Sequence, residues 1–83
     1  MLNNPTQEQV DGYLKTIKNI RLQKGISQYE VANRLSISQN TYFKIEKGKT
    51  KLDLYRLIQI SNILEFEISE LFIKTIVLKR VES

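Results

Sequence analysis

Apolar residues recur at intervals of three and four along most of this 83-residue chain, and only one proline and three glycines interrupt the pattern. This spacing places apolar side chains on one face of a helix, so the sequence predicts an all-α fold. The longest strictly apolar runs have three residues, whereas a bilayer span needs about 20. The amino-terminal segment also lacks the basic start and apolar run of a signal peptide. We therefore expect a soluble, cytoplasmic protein with no membrane partner.

The chain contains no cysteine and no histidine. Their absence excludes disulfides, thiolate nucleophiles, the usual zinc sites and imidazole acid–base catalysis. Carboxylate pairs such as Glu67 and Glu70 are better explained as helix caps than as an acid–base pair. The sequence therefore predicts a single small domain that is not an enzyme and carries no metal or cofactor.

Capping and turn residues divide the chain into five short helices and a tail. The first helix is expected to begin at Thr6 and to end at Gly25. The caps of the next four helices are expected at Ser27, Ser38, Asp53 and Glu67. The residues expected to face inward are Val10, Leu14, Ile17 and Ile20 in the first helix and Leu54, Leu57, Ile58, Ile60 and Leu64 in the fourth.

The carboxy-terminal segment is compatible with two structures. Apolar residues spaced by three and four from Ile73 onward indicate a helix, whereas the β-branched run that begins at Thr75 is typical of a strand. We expect the helix to continue. The chain is accordingly divided into an amino-terminal arm or helix start at 1–9, a domain at 10–73 and an apolar tail at 74–83.

Positive charge is concentrated in one part of the chain. Residues 15–51 hold nine basic and two acidic side chains, a net charge of +7, and the remaining residues hold four basic and seven acidic ones, a net charge of −3. A local excess of this kind is typical of a surface that meets a polyanion. A surface that lysine merely keeps solvated is the alternative, and charge alone does not separate the two.

The second and third predicted helices form a helix-turn-helix motif at residues 27–48. Each has about eight residues, and a short turn at 36–38 joins them. In such a motif the amino-terminal residues of the second helix enter the major groove of DNA. The chain resembles the Cro and phage-repressor (lambda-repressor-like, XRE) helix-turn-helix regulators in IKNIRLQKGISQ (17–28), VANRLSISQNTY (31–42) and KIEKGK (44–49). The resemblance covers residues 17–72.

The resemblance implies a five-helix lambda-repressor-like domain that binds double-stranded DNA, acting on transcription as a repressor at a palindromic operator. It also implies a buried structural ion pair between Arg21 and Glu46. Ser36 and Glu65 stand where relatives carry glycine, so a positive φ angle there would be strained. Base contacts are expected from Gln39, Asn40, Lys44 and Phe43, and phosphate contacts from Gln28, Thr41, Lys47, Lys49 and Lys51.

The predicted base contacts differ in their chemistry. The amides of Gln39 and Asn40 suit the N6 and N7 atoms of adenine, and Lys44 on the same face suits guanine or a phosphate. Phe43 departs from the family pattern, in which a small or polar side chain is usual at this position. Its ring can contact the methyl group of a thymine, or it can pack on a neighbouring helix or a partner, and both interpretations stay open.

One recognition helix reads only a few base pairs, so regulators of this type usually bind as two-fold dimers. Residues 52–73 hold one basic and four acidic side chains, and the apolar excess from there onward predicts a protein-binding surface. The expected interface residues are Phe66, Phe72, Ile73, Ile76 and Val77. The alternative is a tail that folds back on its own domain against the first helix. A second function is also open, that of an antitoxin-like or accessory protein whose main partner is a protein bound at this carboxy-terminal surface.

Overall fold

Five helices make up most of residues 6–82, the range that the structure, a computed structural model, describes. They are α1 (Thr6–Gln23), α2 (Gln28–Leu35), α3 (Gln39–Glu46), α4 (Leu54–Leu64) and α5 (Ile68–Glu82). No strand occurs between residues 6 and 82, and the all-α fold with five helices is confirmed. No helix in this range has both the length and the apolar character needed to cross a membrane. Residues 1–5 of the predicted arm and Ser83 lie outside the described part of the chain.

Three of the predicted caps hold the amino-terminal ends of their helices. The hydroxyl oxygen of Ser27 accepts from the N–H of Glu30, and that of Ser38 accepts from the N–H of Thr41, both at 3.0 Å. The Asp53 carboxylate caps α4 in the same way at 2.8 Å. Each bond satisfies an N–H group that the helix itself leaves unpaired, which typically stabilises the helix by about 1 kcal/mol.

Within residues 6–82, two residues other than glycine adopt the left-handed backbone conformation. Ser36 ends α2 with a φ of 60°, and Glu65 ends α4 with a φ of 58°. The ammonium group of Lys24 donates to the Glu65 carbonyl at 3.1 Å and so ties this turn to the end of α1. Gly48 follows α3 with a φ of 75°, and a Cβ atom there would lie 3.0 Å from Oδ1 of Asp11. Glycine is needed at that turn for its backbone freedom and for its small size.

The core lies between the helices. Its buried apolar residues are Leu14, Ile17, Ile20, Val31, Ala32, Leu35, Tyr42, Ile45, Ile60, Leu64, Phe66 and Leu71. The predicted inward positions of Val10, Leu54 and Ile58 are wrong, since all three are exposed. The buried face of α4 is narrower than its apolar pattern indicated, because Leu54 and Ile58 lie one turn apart on a different side of the helix from Ile60 and Leu64.

α5 continues through residues 74–82 of the predicted tail and packs along α1. The hydroxyls of Thr16 and Thr75 are buried and share a hydrogen bond of 2.6 Å between the two helices. The Phe72 ring meets the Tyr13 ring edge-on, with the ring centroids 5.1 Å apart. The tail therefore folds back on its own domain as a helix, and its contacts with α1 outweigh the β-branched preference for a strand.

Phe66 belongs to the core of the same chain and not to an exposed interface. Its side chain is only 6% exposed and packs in the main apolar cluster. The turn after α4 places it there, since the N–H of Phe66 donates to the Ser61 carbonyl at 3.0 Å. This corrects its place among the predicted interface residues, because a buried ring has little surface left for a partner. The other four, Phe72, Ile73, Ile76 and Val77, are exposed on α5.

Candidate nucleic-acid interface

One continuous face of α3 is exposed and carries all the predicted base-contact residues. These are Gln39, Asn40, Phe43 and Lys44, and Lys47 follows them directly after the helix. At about 100° per residue the five positions fall within an arc of about 140°. Tyr42 and Ile45, on the other side of α3, are buried. The packing of α3 therefore turns the predicted base-contact residues to solvent together.

A buried ion pair holds α3 against α1. Nε of Arg21 donates to Oε2 of Glu46 at 2.7 Å, and one terminal nitrogen donates to Oε1 at 3.2 Å. The other terminal nitrogen donates to the Ile26 carbonyl at 2.9 Å. Both charged side chains are less than a tenth exposed. The ion pair that the family resemblance implies is therefore present, and it fixes the end of α3 relative to α1 and to the loop before α2.

The surroundings keep the Glu46 carboxyl ionised. Burial alone raises its pKa, but the hydrogen bonds that it accepts, from Arg21 first, outweigh burial and hold the pKa below its usual range. Tyr42 lies beside this pair, and burial, followed by the charge of the Glu46 carboxylate, raises the pKa of its hydroxyl far above its usual value. Near neutral pH Glu46 is therefore charged and Tyr42 is neutral.

Gln28, predicted to hold a phosphate, is linked to the same ion pair. Its half-buried side chain donates from Nε2 to Oε1 of Glu46 at 3.1 Å. This bond fixes the direction of the amide at the start of α2. An amide nitrogen carries two hydrogens, so the same group can donate a second bond to a phosphate. The ion pair thus positions one of the predicted phosphate contacts.

The other predicted phosphate contacts lie at the two ends of α3. Those at its carboxy-terminal end are Lys47, Lys49 and Lys51, and all three are exposed. The start of this loop is tied to α3, since the N–H of Lys49 donates to the Lys44 carbonyl at 2.9 Å. Thr41 is exposed in the first turn of α3, where its hydroxyl oxygen lies 2.8 Å from that of Ser38. The predicted phosphate contacts therefore flank the predicted base contacts.

Seven exposed lysines carry the positive charge of segment 15–51. Its two acidic residues each pair with an arginine, Glu46 with Arg21 in the core and Glu30 with Arg34 on the surface. The other basic residues of the segment are Lys15, Lys18, Lys24, Lys44, Lys47, Lys49 and Lys51, and all seven are exposed. Exposed lysines on one segment suit the phosphates of a polyanion, which attract ammonium groups without base selectivity.

Two lysines to which the sequence assigned no role lie beside α3. Lys15 and Lys18 of α1 border a recess of about 290 Å³, and Phe43 of α3 and Lys47 just after α3 border the same recess. The one sequence signal for them was their place at the start of the basic segment. Their position beside the recognition helix depends on how α1 packs against α3, which the local sequence pattern does not specify.

The outward face of α5 carries a ridge of exposed apolar residues, with the charged residue Arg80 exposed one turn beyond it. Ile73, Ile76 and Val77 are spaced by three and four residues and are each more than half exposed. Beside this ridge, a groove of about 400 Å³ runs between α1 and α5. Three of the predicted interface residues therefore lie together on one exposed apolar surface.

A family model described as helix-turn-helix matches residues 17–71 of the chain. The SPbeta prophage-derived uncharacterized HTH-type transcriptional regulator YonR of Bacillus subtilis (strain 168) is 44% identical to it over 48 residues. These residues are 58% of this chain and 44% of the relative, so the chain spans less than half the length of that protein. No solved structure matches the chain significantly. The region matched by the family model contains the buried ion pair and the exposed face of α3.

Proposed function

Because the chain belongs to the helix-turn-helix family, we propose that it is a sequence-specific regulator of transcription that binds double-stranded DNA. The observation that carries this proposal is the exposed face of α3, where amides, lysines and one aromatic ring lie together above a buried ion pair. The printed name of the B. subtilis relative, an HTH-type transcriptional regulator, supports the same function. The proposed activity is binding, without catalysis.

In the proposed complex α3 lies in the major groove. Gln39 and Asn40 are at its amino-terminal end, the part of a recognition helix that meets base edges. Each amide donates and accepts at once, which matches the N6 and N7 atoms of adenine. Lys44 lies one turn further along and supplies a donor for guanine or for a phosphate.

Phosphate contacts around α3 hold the helix in the groove. Thr41 lies in its first turn, and Gln28 and the three loop lysines Lys47, Lys49 and Lys51 lie around its carboxy-terminal end. These contacts fix the position of the protein on the duplex but carry no base selectivity. Each lysine contact neutralises a phosphate and releases counterions, so it steepens the fall of affinity with salt by about 0.9 in the logarithmic slope.

The regulator is proposed to act as a homodimer on a palindromic operator. One α3 helix reads too few base pairs for a useful site, and a two-fold partner adds a second half-site about 34 Å away. The ridge formed by Ile73, Ile76 and Val77, with Phe72 at its edge, supplies the pairing surface. A dimer that covers its operator excludes other proteins from that DNA, so repression is the expected outcome. A different protein bound on the same ridge is the accessory-protein alternative.

Selection from a random pool of DNA duplexes tests the proposal, because it returns the bound half-site and its symmetry. We expect a motif with two-fold symmetry. Fluorescence anisotropy then compares affinity for the selected duplex and for a random duplex. The test variant carries Gln39→Ala with Asn40→Ala, and the control variant carries Lys49→Gln with Lys51→Gln.

The double alanine variant should lose about 1–3 kcal/mol of discrimination for each amide, because its base contacts are gone while its phosphate contacts remain. The double glutamine variant should weaken binding to both duplexes alike and lower the salt slope by about 2. A pool that returns no motif contradicts sequence-specific binding. Equal losses on both duplexes for the alanine variant contradict the base contacts.

A further inference from the structure

Phe43 occupies the middle of the exposed face of α3. It lies one turn after Gln39 and three residues after Asn40, so the three side chains emerge side by side. Its side chain is 39% exposed, whereas Tyr42 and Ile45 fill the core beneath α3. The apolar surface of the ring is therefore available to a ligand on a face that is otherwise polar and basic.

The surroundings of this ring hold more basic than acidic side chains. The acidic residues of the recess beside it are Asp11 and Glu46, and Glu46 is paired with Arg21. Nζ of Lys47 lies 5.6 Å from the ring centroid, within the range of a cation–π interaction. Lys15 and Lys18 border the recess next to the ring. An apolar protein surface docked here would strip water from these ammonium groups without replacing it, whereas DNA offers them phosphates. The position of Phe43 therefore favours a nucleic-acid ligand.

Only one base presents a methyl group in the major groove. Thymine carries it at C5, while guanine, adenine and cytosine are read there through hydrogen-bond donors and acceptors. A phenyl ring has neither a donor nor an acceptor, so a thymine methyl is its complementary partner. We propose that Phe43 is a specificity-determining residue that packs on the 5-methyl group of one thymine in each half-site. This role rests on the proposed function, because it requires α3 in the major groove.

Deoxyuridine tests this role, since it pairs like thymidine and lacks only the 5-methyl group. Each thymine of the selected half-site is replaced in turn, and affinity is measured by fluorescence anisotropy. The unchanged protein should bind about fourfold more weakly at one position, the factor that corresponds to ~0.8 kcal/mol for one buried methyl group. Phe43→Ala should bind the parent and substituted duplexes equally. Gln39→Ala, the matched control, should bind both more weakly and keep the fourfold difference.

Three results would overturn the role of Phe43 and leave the proposed function intact. They are a selected motif without thymine, an unchanged protein that tolerates every deoxyuridine, and a methyl effect that persists in Phe43→Ala. Phe43→Gln gives a second measurement with a polar side chain and should also lose the methyl effect, and circular dichroism checks that both variants are folded. A pool that returns no motif contradicts the proposed function itself.

Discussion

The exposed face of α3 and the outward face of α5 differ in what they present to solvent and in what lies beneath them. The α3 face carries amides, lysines and one aromatic ring above the buried ion pair of Arg21 and Glu46. The α5 face carries a ridge of aliphatic side chains above the buried hydrogen bond of Thr16 and Thr75. The first face suits DNA, and the second suits an apolar protein surface.

The supports beneath the two faces match the precision that each needs. A helix that reads base edges must be held to within about 0.5 Å of its productive geometry. The two-bond contact between a guanidinium and a carboxylate fixes both distance and direction, and it lies directly under α3. Apolar contacts are not directional, so the α5 ridge needs a stable helix but no directional ion pair beneath it.

Loss of the buried ion pair between Arg21 and Glu46 should have the largest effect on stability. Arg21→Met leaves the Glu46 carboxylate buried without its partner, and the free energy of unfolding should fall by about 3–5 kcal/mol. Urea denaturation followed by circular dichroism measures it. The double variant Arg21→Met with Glu46→Leu should recover most of this loss, because it leaves no buried charge. A loss below about 1 kcal/mol in Arg21→Met would show that the pair does not support the fold.

Acid should weaken the same ion pair, because it protonates Glu46. Folding lowers the pKa of Glu46 from its ordinary value of 4.5, so its ionised form stabilises the folded state above that pH. The contribution is lost as the pH falls through the lower pKa of the folded state. When the pH is lowered from neutral, the urea midpoint should therefore decrease once the pH is below the ordinary pKa of Glu46. The decrease should be smaller in the double variant Arg21→Met with Glu46→Leu. Parallel pH profiles of the two proteins would contradict this assignment.

Ile76→Glu should have the next largest effect, on assembly. Light scattering of the unchanged protein should give twice the mass of one chain, and the variant should give the mass of one chain. A carboxylate inside an apolar interface is unfavourable without a partner, and the exposed position of Ile76 leaves the core untouched. Leu54→Glu, the same kind of change on the exposed side of α4, is the control and should remain dimeric. A monomeric parent protein, or a dimer that survives Ile76→Glu, contradicts pairing through α5.

The exposed pair of Arg34 and Glu30 should contribute least. Its N–O distance is 2.7 Å, the same as the shortest one between Arg21 and Glu46, but its side chains are about half exposed. Water screens the attraction, so Arg34→Gln should lower the free energy of unfolding by only about 0.2–1 kcal/mol. The urea series used for Arg21→Met measures it. Equal losses in the two variants would show that burial does not set the difference.

Short-range signals predicted most of the fold. The caps at Ser27, Ser38 and Asp53 are where the sequence placed them, because a cap is a contact between residues three positions apart. The inward positions of Leu54 and Ile58 were predicted wrongly, because burial depends on residues distant in the sequence. Which part of an apolar helix face is covered depends on the helices that pack against it, and periodicity within α4 does not contain that information.

In the candidate site, too, some features followed from the local sequence and others depended on how the helices pack. The exposed face of α3 followed from helical periodicity, because Gln39, Asn40 and Phe43 share a face in any α-helix. The place of Lys18 on the same recess as Phe43 did not follow, because it requires α1 to pack against α3. A local pattern also did not predict the hydrogen bond between Gln28 and Glu46, since 18 residues separate them.

By itself the sequence determined the five helices, most of their ends, the location of the positive charge and the residues that share the exposed face of α3. These features depend on residues within one or two turns of one another. The tertiary structure alone decided that Phe66 fills the core while Ile73 is exposed, and that the tail lies along α1. The bond between Thr16 and Thr75 spans 59 residues of sequence, and contacts at that separation arise only when the helices pack against one another.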